Sequence, residues 1–77
     1  MRWTQDLLDP HRWTASLDGS TLSAAPMPLG TDWRWKARDG RTAWLAFGAA
    51  RTLEDAQRAA EEALEARLAE SFALRKA

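Results

Sequence analysis

The sequence lacks cysteine, which excludes a disulfide framework, a thiol nucleophile and a thiolate metal site. It also lacks a long apolar run: no segment approaches the roughly 18 residues of a membrane span, and no signal-peptide pattern is present, so we expect a cytoplasmic protein. Net charge is absent as well, because 11 Lys and Arg balance 11 Asp and Glu. This balance argues against a whole-molecule polyanion binder and against a wholesale mimic of DNA.

The composition is that of one small globular domain. The chain has 77 residues, and we expect a single domain over 1–77. Hydrophobic residues make up 45% of it, enough for a core and too many for a disordered tail. Five Trp and two Phe without any Tyr make the aromatic set bulky and almost purely apolar. Tryptophan is therefore expected to fill much of the core.

The first 30 residues predict a lead-in and a short hairpin. Residues 1–12 are the lead-in, in which Thr4 is expected to cap one helical turn that Pro10 stops. Residues 13–17 alternate apolar and polar, as a half-buried strand does, and an Asp-Gly turn leads to a short return strand over 21–23. Residues 24–30 hold two prolines and are expected to be a connector outside the sheet.

The clearest β pattern is a basic hairpin over residues 33–47. Odd positions of 33–38 are apolar and even positions are basic, and Asp39-Gly40 is expected to form a two-residue turn. Counting from that turn pairs Trp35 with Trp44 and Arg34 with Leu45. Trp33, Trp35, Trp44 and Ala46 then share one face, while the other face carries Arg34, Lys36, Arg38, Ala43, Leu45 and Phe47.

A long helix is predicted over residues 52–74. Thr52 and Asp55 have the spacing of a capping box, and the following residues are mostly strong helix formers without Gly or Pro. The apolar stripe consists of Leu53, Ala56, Ala60, Ala63, Leu64, Leu68 and Leu74, with Phe72 at its edge. The opposite face carries Glu54, Arg58, Glu61, Glu62 and Glu65.

These elements predict an α+β fold: a three- to four-stranded antiparallel sheet packed against one long C-terminal helix. Strands are expected within 13–47. Charge is uneven over this fold: residues 32–51 hold five basic and two acidic side chains, whereas residues 52–77 hold four basic and six acidic ones. The hairpin is thus a basic patch and the helix an acidic ridge.

The sequence offers no catalytic constellation, so we expect a protein that is not an enzyme. The one imidazole, His11, lies beside Asp9 in a polar segment, which is typical of a solvated loop; the alternative is a general base oriented by Asp6 or Asp9. No acidic cluster has metal-ligand spacing, and no glycine-rich phosphate loop is present. We therefore predict no catalytic, metal or cofactor-binding residues and no cofactor.

The segment W-R-W-K-A-R-D-G-R-T-A-W (33–44), followed by G-A-A-R-T-L-E-D-A-Q-R-A-A-E-E-A-L (48–64), resembles very small phage and prophage proteins. Those chains pair a Trp-rich hairpin with an Ala/Glu helix opened by a Thr or Ser cap, and some are anti-CRISPR proteins. The resemblance is one of architecture and composition. It implies a binding protein that inhibits a bacterial host complex, such as a CRISPR-Cas effector, by direct contact inside the host cell.

Two faces are candidates for partner binding. The first is the basic sheet face, with Arg34, Lys36, Arg38, Arg41, Leu45 and Phe47. The second is the acidic helix ridge, with Glu54, Glu61, Glu62 and Glu65.

Two other partners are compatible with the basic hairpin. One is nucleic acid, bound as by a small regulatory module. The other is a second copy of the chain, because Leu45 and Phe47 on an exposed sheet face invite a homodimer. A lead-in folded over that face, with Trp3, Leu7 and Leu8 covering it, would remove the need for a dimer.

Overall fold

The computed structural model describes residues 2–17, 19–40, 42 and 44–76, with residues 71–76 described by their backbone alone. Five strands precede one helix along the chain. The strands are β1 (Thr4–Gln5), β2 (Trp13–Leu17), β3 (Ser20–Pro26), β4 (Trp33–Arg38) and β5 (Leu45–Ala50), and the helix is α1 (Leu53–Lys76). The predicted α+β architecture with one C-terminal helix is confirmed, and the sheet has five strands where three or four were expected.

Each strand pairs antiparallel with the next one, so the sheet is a meander in the order β1-β2-β3-β4-β5. The helix packs across β3, β4 and β5. Because side chains alternate along a strand, this divides the sheet into a helix face and an open face. The strand residues of the open face are Thr4, Thr14, Ser16, Thr21, Ser23, Ala25, Arg34, Lys36, Arg38, Leu45, Phe47 and Ala49.

The core lies between the helix face and α1 and is built mainly from small residues. Ala15, Leu22 and Ala37 of the sheet meet Ala60 and Leu64 of the helix in one buried cluster. Alanine on both sides allows the helix to approach the sheet closely. Larger, partly buried side chains pack against this cluster, namely Trp3, Trp35, Trp44, Ala63 and Leu68. Tryptophan thus contributes to the core from its margin, around a centre of alanine and leucine.

The helix begins where the cap predicts. The backbone N–H of Asp55 donates to the Oγ1 of Thr52 over 3.1 Å, and the N–H of Ala56 donates to the Thr52 carbonyl over 3.0 Å. Thr52 is therefore the N-cap: its carbonyl accepts the first helical hydrogen bond, and its hydroxyl satisfies one of the N–H groups that the first turn leaves without a helical partner.

The register of the basic hairpin differs from the prediction by four residues. Trp35 lies opposite Gly48 and Arg38 opposite Leu45, because the connection is longer than a two-residue turn. It is closed by the N–H of Asp39, which donates to the Trp44 carbonyl over 3.3 Å. A shift by an even number of residues leaves the side chains within β4 and β5 on their predicted faces, so the separation of tryptophans from cations on β4 survives. Ala43, also predicted for the face with the cations, lies outside the described residues.

Two predicted irregular segments are partly strand. Thr4 and Gln5 pair with Thr14 and Trp13 to form β1 instead of opening a helical turn. An isolated helical turn has too few hydrogen bonds to be stable, whereas these residues gain pairing with β2 when they form a strand.

The central strand β3 continues into the predicted connector and ends at Pro26. The proline is tolerated because pairing with β2 stops at Ala24, so no ladder bond from Pro26 is required on that side. The sheet likewise continues past residue 47, since β5 ends at Ala50.

Candidate binding surface on the open face

The open face carries its charge in one row along β4. Arg34, Lys36 and Arg38 are all exposed, and each lies beside a hydroxyl or small residue of β3 and an apolar residue of β5. Across the centre of the sheet the register aligns Ser23, Lys36 and Phe47. None of the strand residues on this face is acidic. No carboxylate of the strands therefore neutralises the positive charge of this row on the open face.

Two large apolar side chains stand exposed beside these cations. Leu45 is 54% exposed and Phe47 is 70% exposed, and both lie on β5. Five of the six residues predicted to form the basic binding face are thus gathered on the open face, while Arg41 lies outside the described residues. Aromatic residues and arginine are enriched at protein interfaces, and an exposed ring beside cations is also the composition of a stacking platform.

Two shallow grooves cross this face. The larger one, of about 590 Å³, is lined by Arg12, Thr21, Ser23, Lys36, Arg38, Thr42, Trp44 and Leu45. The smaller one, of about 320 Å³, lies towards the β1–β2 loop, where Asp9 and Arg12 form one wall. Cations line both grooves together with apolar side chains, so each groove places positive charge beside apolar surface.

Trp44 connects the open face to the helix. It lines the larger groove and also packs against the buried cluster, whereas Trp33 and Trp35 project from the helix face. The guanidinium of Arg67 on α1 lies 6.0 Å from the centre of the Trp44 ring. The Nε of Arg67 also lies 3.9 Å from the Oδ2 of Asp39, a buried residue at the end of β4. Arg67 of the helix therefore lies close to both Asp39 and Trp44, the residues that flank the loop at the end of the groove.

The Asp39–Arg67 contact was not predicted from the sequence. Arg67 follows Leu64 by three positions, so helical periodicity places it beside the apolar stripe, and this was the available signal. The same loop is also held from the other side. A Cβ on Gly40 would collide with the carbonyl oxygen of Gly19 in the β2–β3 turn, so the two connections are in close backbone contact.

The lead-in does not cover the open face. Trp3 packs on the helix side, and its Nε1 donates to the Oε1 of Glu61 over 2.6 Å. Leu7 and Leu8 are 99% and 97% exposed at the tip of the β1–β2 loop. The alternative in which these residues shield Leu45 and Phe47 is therefore wrong, because the Trp3 bond to the helix directs the segment to the opposite side.

The acidic ridge of the helix is less uniform than predicted. Glu54, Glu62 and Glu65 are exposed, but Glu61 is half-buried and accepts the Trp3 hydrogen bond. Glu61 is therefore a structural contact that ties β1 to α1. The second candidate face therefore consists of Glu54, Glu62 and Glu65, which are exposed on the side of the helix away from the sheet.

His11 lies in the β1–β2 loop and is exposed. The Oδ1 atoms of Asp6 and Asp9 accept the backbone N–H groups of Leu8 and His11 over 2.9 Å and 3.1 Å. These carboxylates thus stabilise turns within the loop. Among the described residues, no group of three or more His, Asp or Glu side chains is placed to hold a metal ion.

Comparison with known proteins finds no match, since no family model, curated protein or solved structure matches the chain. Within the described ranges, no helix has the length and apolarity needed to cross a bilayer. The fold and the surface together define a small α+β protein with one sheet face that α1 leaves uncovered.

Proposed function

We propose that this protein is a non-enzymatic, phage-type binding protein that inhibits a bacterial host complex through its open face. The observation that carries the proposal is the row of Arg34, Lys36 and Arg38 beside exposed Leu45 and Phe47. Such a surface matches a protein partner whose contact area is acidic with an apolar centre. The resemblance of residues 33–64 to small phage proteins favours an anti-CRISPR that blocks a CRISPR-Cas effector in the cytoplasm of the host cell.

The dimensions of the molecule agree with one face being used. A standard interface takes roughly 800 Å² from each partner, and the accessible surface of the whole molecule is 5736 Å². A contact of that size needs most of one side of the sheet. The open face lies on the side of the sheet opposite α1, so a partner can bind there without displacing the helix.

The test is capture of Cas subunits by the tagged protein from bacterial lysates that contain different Cas complexes, with and without nuclease. A Cas subunit retained after nuclease supports the proposal, and a phage-plating assay with the matching system then tests inhibition. Recovery of no Cas subunit from any lysate overturns the anti-CRISPR function.

Two variants determine which face binds. Lys36→Glu with Phe47→Ser is expected to abolish capture, because it reverses charge and removes the aromatic at the centre of the open face. Glu62→Arg changes charge on the exposed helix ridge and is expected to leave capture unchanged. Loss of capture in Glu62→Arg alone would assign binding to the second candidate face and overturn the role of the open face.

A second candidate function is single-strand nucleic-acid binding, and one observation favours it. Phe47 lies directly opposite Lys36, so an exposed ring for base stacking stands next to a cation for phosphate contact. Binding of labelled single strands at low salt, weakened by raised salt and by Arg34→Ala with Lys36→Ala, would support it. Absence of binding at low salt would exclude this function.

A further inference from the structure

The two edges of the sheet are very different. At one edge, β1 is only two residues long, and Trp3 next to it is bonded to the helix through Glu61. At the other edge, β5 is six residues long, carries no charge and contains no proline. Natural sheets usually protect an edge with charge, proline or short length, since a bare edge pairs with other strands. Among the residues that the structure describes, such protection is present at the β1 edge and not at the β5 edge.

The outward backbone groups of β5 can be identified. In an antiparallel ladder, alternate residues direct their N–H and C=O groups to the same neighbour. The carbonyl of Trp44 accepts a hydrogen bond from the N–H of Asp39, which directly follows β4. Trp44 and every second residue after it therefore direct their N–H and C=O groups to β4. Leu45, Phe47 and Ala49 therefore direct their N–H and C=O groups to the open edge, and all three residues are exposed.

We propose that β5 is a self-association edge, at which two copies of this chain join their β5 strands antiparallel with Phe47 opposite Phe47. In this register Leu45 of each copy lies opposite Ala49 of the other. Three N–H groups of each copy then meet three carbonyls of the other, so every outward group of β5 is paired. A register shifted by two residues in either direction leaves some of them unpaired.

The charge distribution favours this edge pairing over a face-to-face dimer. Two open faces packed together would bring Arg34, Lys36 and Arg38 of one copy against the same cations of the other. In the edge-paired dimer the two β4 strands are three strand spacings apart, roughly 14 Å. That separation exceeds the Debye length of about 8 Å at physiological ionic strength, so the repulsion is largely screened.

The dimer has a consequence for the open face. A two-fold axis perpendicular to the sheet keeps both helices on one side and joins both open faces on the other. The result is a ten-stranded sheet with two rows of cations and the two Phe47 side chains at its centre. The inference goes beyond the proposed function, because edge pairing leaves the open face accessible and occurs whether or not a partner exists.

The first test is sedimentation velocity of the full chain from low to high micromolar concentration, with three proteins. The unaltered chain is expected to form dimers as concentration rises. Ala49→Pro removes one outward N–H without touching the β4 ladder, and it is expected to remain monomeric with an unchanged circular dichroism spectrum. Ser16→Lys adds a charge to the open face far from β5 and is expected to dimerise like the unaltered chain.

Three results would overturn the proposal. They are an unaltered chain that stays monomeric at high micromolar concentration, a folded Ala49→Pro variant that dimerises equally well, and loss of dimer in Ser16→Lys. The last result would indicate a face-to-face contact.

The second test determines the register and uses the absence of cysteine in the chain. Phe47→Cys places two thiols at directly opposed positions, within the Cα separation that a disulfide spans. Leu45→Cys is the matched control, because its two thiols lie four residues apart along the pair, about 14 Å. Mild oxidation is expected to cross-link Phe47→Cys at least tenfold faster. Equal rates, or faster cross-linking of Leu45→Cys, would overturn the proposed register.

Discussion

The indole of Trp35 lies over Gly48 on the neighbouring strand. A Cβ at position 48 would stand 2.8 Å from Cζ2 and Nε1 of that ring, closer than side chains approach one another. The two residues are direct cross-strand partners. The glycine thus provides the space into which the indole packs, and an aromatic ring laid over a strand glycine compensates for the packing that the glycine lacks.

This relationship predicts that Gly48→Ala destabilises the protein by about 1–3 kcal/mol, the usual cost of overpacking. Urea unfolding followed by circular dichroism measures the change. In a Trp35→Leu background the same substitution is expected to cost less, because the smaller side chain leaves room for the methyl group. An equal cost in both backgrounds would show that the Trp35 ring is not the cause.

The centre of the core provides the second prediction. Leu64 is fully buried between the helix and the sheet, so Leu64→Ala is expected to lower the free energy of unfolding by about 2–5 kcal/mol. Leu29→Ala is the matched control, because Leu29 is 90% exposed in the β3–β4 loop, and a change within about 0.5 kcal/mol is expected. Chemical denaturation of both variants checks this, and similar losses would contradict the position of the core.

The third prediction concerns the contact between Arg67 and the β4–β5 loop. Arg67→Met keeps the apolar stem of the side chain but removes the charge that lies 3.9 Å from the carboxylate of buried Asp39, and a loss of about 1 kcal/mol is expected for this ion pair. Arg58→Met changes an exposed arginine of the same helix and is expected to have almost no effect. Thermal unfolding of the two variants measures this difference. Equal melting temperatures would show that Arg67 does not stabilise the fold more than an exposed arginine does.

The Arg67→Met substitution is also expected to change the fluorescence of the protein. Trp44 lies under the Arg67 guanidinium, so loss of that cation alters the environment of one indole. Trp44→Phe is the control, because it removes the reporting ring. In that background the fluorescence difference caused by Arg67→Met is expected to disappear, and a difference that persists would assign the change to another tryptophan.

The fourth prediction concerns the attachment of β1. Trp3→Phe removes the N–H that donates to Glu61 but keeps an aromatic ring, and a cost of about 1–3 kcal/mol is expected for this charge-assisted bond. Glu61→Ala is expected to cost a similar amount, whereas Glu62→Ala on the exposed side of the helix is expected to be neutral. A double-mutant cycle measures the coupling between Trp3 and Glu61, and additive losses would show that the two residues do not interact.

Local sequence pattern was sufficient to predict the elements whose apolar residues recur at the period of a strand or a helix. Alternation along residues 33–38 predicted a strand with tryptophans on one face and cations on the other, and the structure has both. The spacing of Thr52 and Asp55 predicted the beginning of the helix, and periodicity predicted its buried stripe at Ala56, Ala60 and Leu64. These features depend on neighbours within a few residues, so the chain specifies them locally.

The basic part of the candidate site followed from the same alternation. Arg34, Lys36 and Arg38 share a face in any register, because they are two residues apart on one strand. Leu45 and Phe47 lie on the same face because the observed register differs from the predicted one by an even number of residues. Glu61 was predicted on the acidic ridge, and sequence pattern did not reveal that it is half-buried there, because Trp3, 58 positions away in the chain, bonds to it.

Contacts between distant segments decided the rest. The hairpin register depends on whether the Trp35 ring fits over Gly48, which no count from the Asp39-Gly40 turn reveals. The first strand exists because it pairs with β2 and because Trp3 beside it bonds to α1, and β3 can end in Pro26 because its pairing with β2 stops at Ala24. Alternation and helical period are properties of the backbone, whereas register, strand number and edge exposure depend on which side chains meet after the chain has folded.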